Sequence, residues 1–286
     1  MKRILLLAIV CALLCVSVSA WSQKVNEPAG NPEWAKPYKP FRIAGNLYYV
    51  GTYDLASYLI VTNKGNILIN TGLSSSAGLI KKNIETLGFK FSDIKILLTN
   101  QAHYDHLGAM AAIKKQTGAQ FYVDAADAEV CKAGGANDYE MGHLGMSFQP
   151  VIPDKLLKDK DVIRLGNTRL TLLHHPGHTE GSCSFLLDVA DGKRLYKVLI
   201  ANIPSIITDK PFSKIPAYPR IREDYAYTLQ AMQELQFELW VAAHASQFQL
   251  HSKRKEGDAY NPSVFTDRKG YDKLLEDISG ALKNHP

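Results

Sequence analysis

Apolar residues recur with two different periods along the first half of the chain. In SSSAGLIKKNIETLG they recur every three or four positions, which places Leu79, Ile80 and Ile84 on one face of a predicted helix. In IKILLTN they form a continuous run, which is typical of a strand buried on both faces. Strand and helix patterns then alternate, and this alternation favours a layered α/β fold. The strands predicted in this half are GNLYYVGT, ASYLIVTN, GNILINTG, IKILLTN and QFYVDA, and the helices are SSSAGLIKKNIETLG and LGAMAAIKKQTG.

A polar stretch with several glycines, GGANDYEMGHLGMSFQP, interrupts this pattern and predicts a long irregular loop, a feature that is often functional in compact domains. Strand patterns then resume, and Asp191-Gly192 predicts a hairpin turn. A helix is predicted over 222–235, and another in the amphipathic stretch DRKGYDKLLEDISGALKNH. Each half is thus rich in strands and then helical, which suggests two sheets flanked by helices. The strands predicted in the second half are VIRLG, TRLTLLHHP, SCSFLLDVA, LYKVLIANI and FELWVAAH.

The N-terminus has a different character. Lys2 and Arg3 precede the apolar run ILLLAIVCALLCVSVSA, which ends in small residues, and this pattern predicts a secretory signal peptide over residues 1–20. A transmembrane helix needs roughly 20 apolar residues, more than this run offers. A lipoprotein is a weaker alternative, because bulky residues precede both cysteines of the run. We therefore expect a periplasmic or secreted protein without a stable membrane anchor, in which residues 21–286 form a single domain after an irregular lead-in over 21–44.

Composition and charge exclude several classes of function. The chain of 286 residues is 46% hydrophobic and 21% charged, which is ordinary for a globular protein. Its net charge of +5 falls to +3 once Lys2 and Arg3 are removed, with 31 basic against 28 acidic residues. The one basic run that stands out, Lys253-Arg254-Lys255, is predicted to be a solvated loop, so no nucleic-acid partner is expected. No segment resembles a coiled coil or a swapped element, and we expect a monomer.

Two cysteines, Cys131 and Cys183, remain after the predicted cleavage. A disulfide is chemically possible in an exported protein. Cys183 lies in the apolar stretch SCSFLLDV, which favours a buried free thiol. The sequence alone leaves the pairing of the two thiols open.

Histidines cluster at the ends of three predicted strands, which is where functional sites assemble in layered α/β folds. The strand IKILLTN is followed by His103, Asp105 and His106, so that two imidazoles and a carboxylate fall within four residues. Packing alone gives no reason to crowd these groups together, whereas zinc binds both imidazole nitrogen and carboxylate oxygen. The strand TRLTLLHHP is followed by His178, and FELWVAAH ends in His244. We expect structural roles for four further histidines, His143, His174, His175 and His251.

These motifs in combination resemble the metallo-β-lactamase superfamily. The resemblance rests on H-x-D-H after an apolar strand, on H-P-G-H-T and on a lone late histidine, and it covers nearly all of the chain after the lead-in. It implies an αββα sandwich, with two mixed sheets face to face, helices outside and the site at one edge. The stretches FRIAGNLYYVGTYDLASYLIVT, ILLTNQAHYDHLGA, LLHHPGHTEGSCSF and HASQF are most similar to the third subclass, which has no cysteine ligand, and to its GOB-type branch.

The resemblance also implies roles for individual residues. In the GOB-type branch the first position of the metal motif is glutamine, which is Gln101 here. An amide oxygen is a poorer zinc ligand than imidazole, so we expect one or two Zn²⁺ per chain, with the second of two sites the tighter. Ser205 is a candidate for binding a substrate carboxylate. The first site would be lined by Gln101, His103 and His178, and the second by Asp105, His106 and His244.

The activity implied is zinc-dependent hydrolysis of the β-lactam amide in penicillins, cephalosporins and carbapenems. Zinc lowers the pKa of a bound water from about 15.7 to about 7, which makes hydroxide available at neutral pH. Asp105 is expected to be the catalytic carboxylate, which binds zinc and orients the hydroxide. Two alternatives remain open: another hydrolase of the superfamily, such as a thioesterase or a lactonase, and a non-catalytic protein in which Gln101 marks a decaying site.

Overall fold

The computed structural model describes residues 25–28 and 30–286, so the signal peptide predicted over 1–20 lies outside the described residues. The first sheet has seven strands in the order of the chain. Its first four strands are antiparallel, and the pairs from the fourth strand onward are parallel. The strands are β1 (Phe41–Ala44), β2 (Leu47–Tyr49), β3 (Tyr58–Thr62), β4 (Gly65–Ile69), β5 (Ile94–Leu98), β6 (Gln120–Asp124) and β7 (Lys155–Leu157).

The second sheet has five strands in the order β12-β11-β10-β9-β8. Only the pair β11 and β12 is parallel within it, so both sheets are mixed. Asp191 pairs with Arg194 across the turn between β10 and β11, which confirms the predicted hairpin. The strands are β8 (Val162–Leu165), β9 (Thr168–His174), β10 (Cys183–Asp191), β11 (Arg194–Ala201) and β12 (Leu239–Ala242).

Helices cover the outer faces of both sheets. The predicted helix over 107–118 is divided into a short turn and a longer helix that ends at Gly118, where φ is +67°. Two further short helices, Ala128–Ala133 and Leu250–Lys253, were not predicted. Within the described residues no helix combines the length and apolar character needed to cross a membrane. The helices are α1 (Ala77–Thr86), α2 (Tyr104–Leu107), α3 (Met110–Thr117), α4 (Ala128–Ala133), α5 (Ile221–Gln233), α6 (Leu250–Lys253) and α7 (Arg268–Asn284).

Alternate residues of one strand belong to different layers, as the two-residue period of a strand requires. Tyr58 and Ile60 of β3 are buried in the core between the sheets, whereas Leu59 packs in a separate cluster with residues of α1 and α3. On the opposite side, Trp240 of β12 contacts Tyr271 of α7 with ring centroids 5.2 Å apart. The layers therefore follow the order helix, sheet, sheet, helix, and the predicted αββα sandwich is confirmed.

Three sequence-based expectations need correction or completion. The lead-in predicted to be irregular contains β1, because its polar residues hide the short apolar strand Phe41–Ala44. Lys253 is not in a solvated loop, since its Nζ lies 2.9 Å from Asp267 and over the ring of Trp240. Cys131 and Cys183 are both buried and free, which confirms the free thiol expected at Cys183.

Candidate metal centre

Two buried asparagine side chains join β4, β5 and β10 at one edge of the sandwich. Asn70 follows β4 with φ at +60°, a left-handed conformation that asparagine tolerates better than most residues. Its Nδ2 donates to Oδ1 of Asn100 at 2.8 Å, and its Oδ1 accepts from the backbone N–H of Asn100 at 2.9 Å. Nδ2 of Asn100 in turn donates to the carbonyl of Cys183 at 2.8 Å. The loops that carry the predicted ligands therefore start from fixed positions.

Asp105, His106 and His244 come together at this edge, with one ligand atom from each lying within 4.8 Å of the others. Oδ2 of Asp105 lies 3.3 Å from Nε2 of His106 and 3.3 Å from Nε2 of His244. Neither ring nitrogen of the buried His106 has a hydrogen-bond partner among the described residues. Buried polar atoms are nearly always paired, so the unpaired ring of His106, which faces Asp105 and His244, fits a cation held between the three residues.

Asp54 fixes the orientation of His244 from the side opposite Asp105. Its Oδ2 lies 3.1 Å from Nδ1 of His244 and also accepts from Nε1 of Trp34 at 3.0 Å. Its Oδ1 accepts from the backbone N–H of Ser246 at 2.9 Å. Because a carboxylate only accepts, the proton of the neutral imidazole lies on Nδ1, and Nε2 presents its lone pair to Asp105.

The charges of this set suit a cation. Burial opposes ionisation of Asp105, but its contacts with His106 and His244 outweigh burial and hold its pKa well below the usual range. Burial lowers the pKa of His244, but its contacts with Asp105 and Asp54 outweigh burial and raise that pKa to about 9, so a metal ion that binds Nε2 takes the place of a proton shared with Asp105. Burial also lowers the pKa of His106, which favours the neutral imidazole that a metal needs. Two ionised carboxylates, Asp105 within this set and Asp54 behind His244, thus favour a positive charge here.

Gln101, His103 and His178, the residues of the predicted first site, form a separate group beside this set. The rings of His103 and His178 are 4.9 Å apart, and Oε1 of Gln101 is buried without a hydrogen-bond partner among the described residues. Nε2 of His103 lies 3.3 Å from Asp138, and Nδ1 of His178 donates to the carbonyl of Ser205 at 2.7 Å. The donor atoms left for a metal are the amide oxygen, Nδ1 of His103 and Nε2 of His178. None of them is anionic.

Asp127 accepts two hydrogen bonds from the H-P-G-H-T loop, a role that sequence reasoning missed. One carboxylate oxygen of Asp127 accepts from Oγ1 of Thr179 at 2.8 Å, and the other accepts from the backbone N–H of Gly181 at 2.8 Å. A Cβ on Gly181 would lie 2.4 Å from the backbone nitrogen of Asp127, so glycine is required there. Burial raises the pKa of Asp127 to about 7. No motif marks this carboxylate, because its role depends on the packing of α4 beneath the loop.

The remaining predicted residues are also placed. Oγ of Ser205 lies 3.3 Å from Nδ1 of His178, beside the group that contains Gln101. His174 and His175 have hydrogen-bond partners within the fold, respectively Asp124 and Ser184, each at 2.8 Å. The expected structural roles hold for those two histidines and for His251, which contacts the carbonyl of Tyr53 at 2.8 Å, while His143 is exposed.

Residues 52–196 match the metallo-beta-lactamase superfamily. This match agrees with the fold and with the two groups of histidines at this edge of the sandwich. The chain belongs to the metallo-β-lactamase superfamily.

Solved structures place it more finely within that superfamily. It is 61% identical to the metallo-β-lactamase GOB-18 from Elizabethkingia meningoseptica, with a TM-score of 0.91, covering 92% of this chain and 98% of that one. It is 59% identical to LRA-12, a class B3 di-zinc metallo-β-lactamase from an Alaskan soil metagenome, with a TM-score of 0.90, covering 91% and 99%. A β-lactamase from Chitinophaga pinensis is 54% identical, with a TM-score of 0.89, covering 91% and 98%. The predicted resemblance to the third subclass is confirmed.

Curated relatives are more distant and match only in part. A probable metallo-hydrolase from Methanocaldococcus jannaschii is 28% identical over 48% of this chain and 64% of its own length. A probable hydroxyacylglutathione hydrolase from Schizosaccharomyces pombe is 26% identical over 51% of this chain and 48% of its own length. The chain thus spans less than two thirds of the length of each of these two relatives, and the matches support the superfamily but no particular substrate.

Proposed function

We propose that this metallo-β-lactamase superfamily member is a zinc-dependent β-lactamase that opens the β-lactam amide of penicillins, cephalosporins and carbapenems. The observation that carries the proposal is its identity of 54–61% to three β-lactamases over more than nine-tenths of each. Ranking these drug classes depends on the loop at 134–150, so we propose the reaction for all three together.

The residues present fit zinc. Asp105, His106 and His244 would hold one ion, since their ligand atoms face one another and neither ring nitrogen of His106 has a hydrogen-bond partner among the described residues. Gln101, His103 and His178 would hold the other. When bound, zinc would polarise the lactam carbonyl and lower the pKa of a water to about 7. Asp105, whose pKa is held low, supplies the one negative charge among the six ligands and accepts the hydrogen bond that orients the attacking water.

Ser205 is the proposed contact for the carboxylate that β-lactams carry next to the ring. Its carbonyl is already occupied by Nδ1 of His178 and by the hydroxyl of Tyr225, which donates at 3.0 Å. These two bonds fix the backbone, so the Ser205 hydroxyl starts from a defined position beside the first group of ligands. A donor at that position would orient the substrate relative to both metals.

The two groups of ligands are proposed to differ in affinity. The Asp105 group has an anionic ligand, and His244 within it is backed by the carboxylate of Asp54. The Gln101 group has only neutral ligands. Hydrolysis should therefore begin with the first equivalent of zinc. Measuring bound zinc and turnover in the same samples at limiting zinc tests this. Activity that appears only with the second equivalent would refute the order.

A direct test compares substrate classes in one preparation. The zinc-loaded protein is assayed against a carbapenem and against a glutathione thioester, with and without a chelator. We expect carbapenem turnover that is lost on chelation and restored by zinc, with far slower thioester hydrolysis. Faster thioester turnover would favour the thioesterase alternative, and a protein that purifies without stoichiometric zinc and hydrolyses neither would favour the non-catalytic one.

Export and oligomeric state are further parts of the proposal. We propose that residues 1–20 are removed on export to the periplasm, since their charged start, apolar run and small residues have the signal-peptide pattern. N-terminal sequencing of the protein from a periplasmic fraction tests this directly. We also propose a monomer, which light scattering after gel filtration would show as a single species near the mass of the mature chain.

A further inference from the structure

Three consecutive residues of the irregular loop between α4 and β7 contact the first group of ligands or its surroundings. Oδ2 of Asp138 lies 3.3 Å from Nε2 of His103. The hydroxyl of Tyr139 donates to the carbonyl of His178 at 3.2 Å. Glu140 accepts from Nζ of Lys210 at 3.2 Å, which ties the loop to the segment that follows β11. The proposed hydrolysis assigns no role to any of these three.

The two carboxylate oxygens of Asp138 have separate tasks. Oδ1 accepts from the backbone N–H groups of Glu140, at 3.0 Å, and Met141, at 2.6 Å, and so closes the turn of the loop. Oδ2 faces His103. The side chain of Asp138 is 3% exposed and that of His103 is 2% exposed, so water has little access to this contact. The task within the loop and the contact with histidine can therefore be separated by substitution.

The contact selects one tautomer of His103. A carboxylate accepts and cannot donate, so the proton of the neutral imidazole lies on Nε2 and the lone pair on Nδ1. The lone pair then belongs to the nitrogen that is not bonded to Asp138. His178 is oriented by a neutral carbonyl, and Gln101 contributes a neutral amide. Asp138 is therefore the carboxylate in hydrogen-bond contact with a histidine of this group.

We infer that Asp138 is a positioning residue for the first zinc site, which fixes the tautomer of His103 and raises the zinc affinity of a group weakened by Gln101. Tyr139 and Glu140 hold the loop in place for that purpose. The inference rests on the proposed function only in taking Gln101, His103 and His178 as a zinc site. Carboxylates behind metal-bound histidines typically change metal affinity by about 10–100-fold, and we expect an effect of that size.

Substitution of Asp138 by asparagine separates this role from a purely structural one. In Asp138→Asn the remaining oxygen can still accept from the two backbone N–H groups, while the new amide N–H faces His103. Nε2 must then accept, the proton moves to Nδ1, and His103 cannot bind zinc without losing that contact. Glu129→Gln is the matched control, since Glu129 lines the same small cavity as Asp138 but pairs with the exposed Lys132.

Two measurements test the inference without any β-lactam. The first is zinc affinity by competition with a chromophoric chelator, and the second is the tautomer of His103 by ¹⁵N NMR of the zinc-free protein at a pH where the imidazole is neutral. In Asp138→Asn we expect one zinc equivalent to bind about 10–100-fold more weakly, the other to be unchanged, and His103 to carry its proton on Nδ1. Wild type and Glu129→Gln should both carry it on Nε2.

The inference is overturned if Asp138→Asn keeps the Nε2–H tautomer, if it binds both equivalents like wild type, or if both affinities fall together with the unfolding temperature. The last result would mean a role in folding alone. Failure of the proposed function would look different, since wild type would then bind zinc without hydrolysing a β-lactam, and the comparison of tautomers would still be readable.

Discussion

Oδ2 of Asp54 and Nδ1 of His244 lie 3.1 Å apart, although 190 positions separate the two residues in the chain. The contact leaves Nε2 of His244 facing Asp105 and so determines which nitrogen is available to a metal. Asp138 has the same relation to His103 across the site, at 3.3 Å. Each proposed zinc site therefore has one histidine that a buried carboxylate orients.

Asp54→Asn should weaken both the fold and the zinc site of Asp105, His106 and His244. The carboxylate accepts from Trp34, His244 and Ser246, and an amide must present N–H to at least one of these donors. A buried donor left without an acceptor costs roughly 1–3 kcal/mol, and loss of the histidine partner should lower zinc affinity about 10–100-fold. Urea unfolding of the zinc-free protein and chelator competition measure the two effects. Wild-type values in both would contradict the role assigned to Asp54.

His106→Ala and His178→Ala should have unequal effects at limiting zinc. His106 belongs to the group with an anionic ligand, which is proposed to fill first, whereas His178 belongs to the neutral group. We expect His106→Ala to reduce turnover of a carbapenem by more than about 100-fold, the upper end of effects seen for partners of metal ligands. His178→Ala should reduce it less. Equal losses at one zinc per chain would show that both groups are needed for turnover.

Gln101→His should strengthen the first site. Imidazole nitrogen is a better zinc ligand than an amide oxygen, and neither adds formal charge to the group. We expect the second equivalent of zinc to bind at least about tenfold more tightly. Residues that only hydrogen-bond to a metal ligand already change metal affinity by about 10–100-fold, so exchanging a ligand should have at least the smaller of these effects. Chelator competition on wild type and Gln101→His measures the difference. An unchanged second equivalent would mean that Gln101 is not a ligand.

Sequence reasoning identified the residues proposed to bind zinc but not the residues that orient them. Asp105 and His106 were predictable because H-x-D-H concentrates metal-binding groups in one turn of chain, where packing alone would not. Asp54 and Asp138 lie in loops without any pattern, and only the folded chain brings them to His244 and His103. Their role depends on long-range contacts, which local periodicity does not encode.

The fold shows the same division between local and long-range information. The strand predicted in ASYLIVTN is present as β3, and its side chains alternate between two buried layers, as they do along any strand. β1 was missed, since its four residues follow a polar lead-in and gain their stability from pairing with β2. Lys253 was wrongly predicted to be solvated, because its partners Trp240 and Asp267 are distant neighbours brought together by α6.

His174 and Asp124 should make stability depend on pH. Burial lowers the pKa of His174, but its hydrogen bond with Asp124 outweighs burial and raises it above the ordinary value of 6.5. A raised folded-state pKa contributes stability that is fully present below about pH 6.5 and is lost as pH rises through the folded value. His174→Gln should therefore cost about 1 kcal/mol at pH 6 and less at pH 9, by urea unfolding. His143→Gln, at an exposed position, should match wild type at both pH values.

Asp127 should act in the same direction on the zinc-free protein, but over a lower range of pH. Its pKa is raised from 3.8 to about 7 by burial, so the folded state holds a proton that the unfolded state has released between these values. Stability should then fall as pH rises from about 4 to about 7. In Asp127→Asn the amide oxygen can accept from Gly181, while Thr179 turns its hydroxyl toward Ser182, 2.8 Å away, and accepts from the new N–H.

The asparagine variant should therefore lack most of that decline. At about 1.4 kcal/mol for each pKa unit, the cost of ionising Asp127 is several kcal/mol, so Asp127→Asn should be more stable than wild type at pH 8 and close to it at pH 4. Urea midpoints of the two zinc-free proteins across this range measure the difference. A variant less stable than wild type at pH 8 would show that the ionised carboxylate supports the H-P-G-H-T loop, because its two accepted hydrogen bonds then outweigh the burial of its charge.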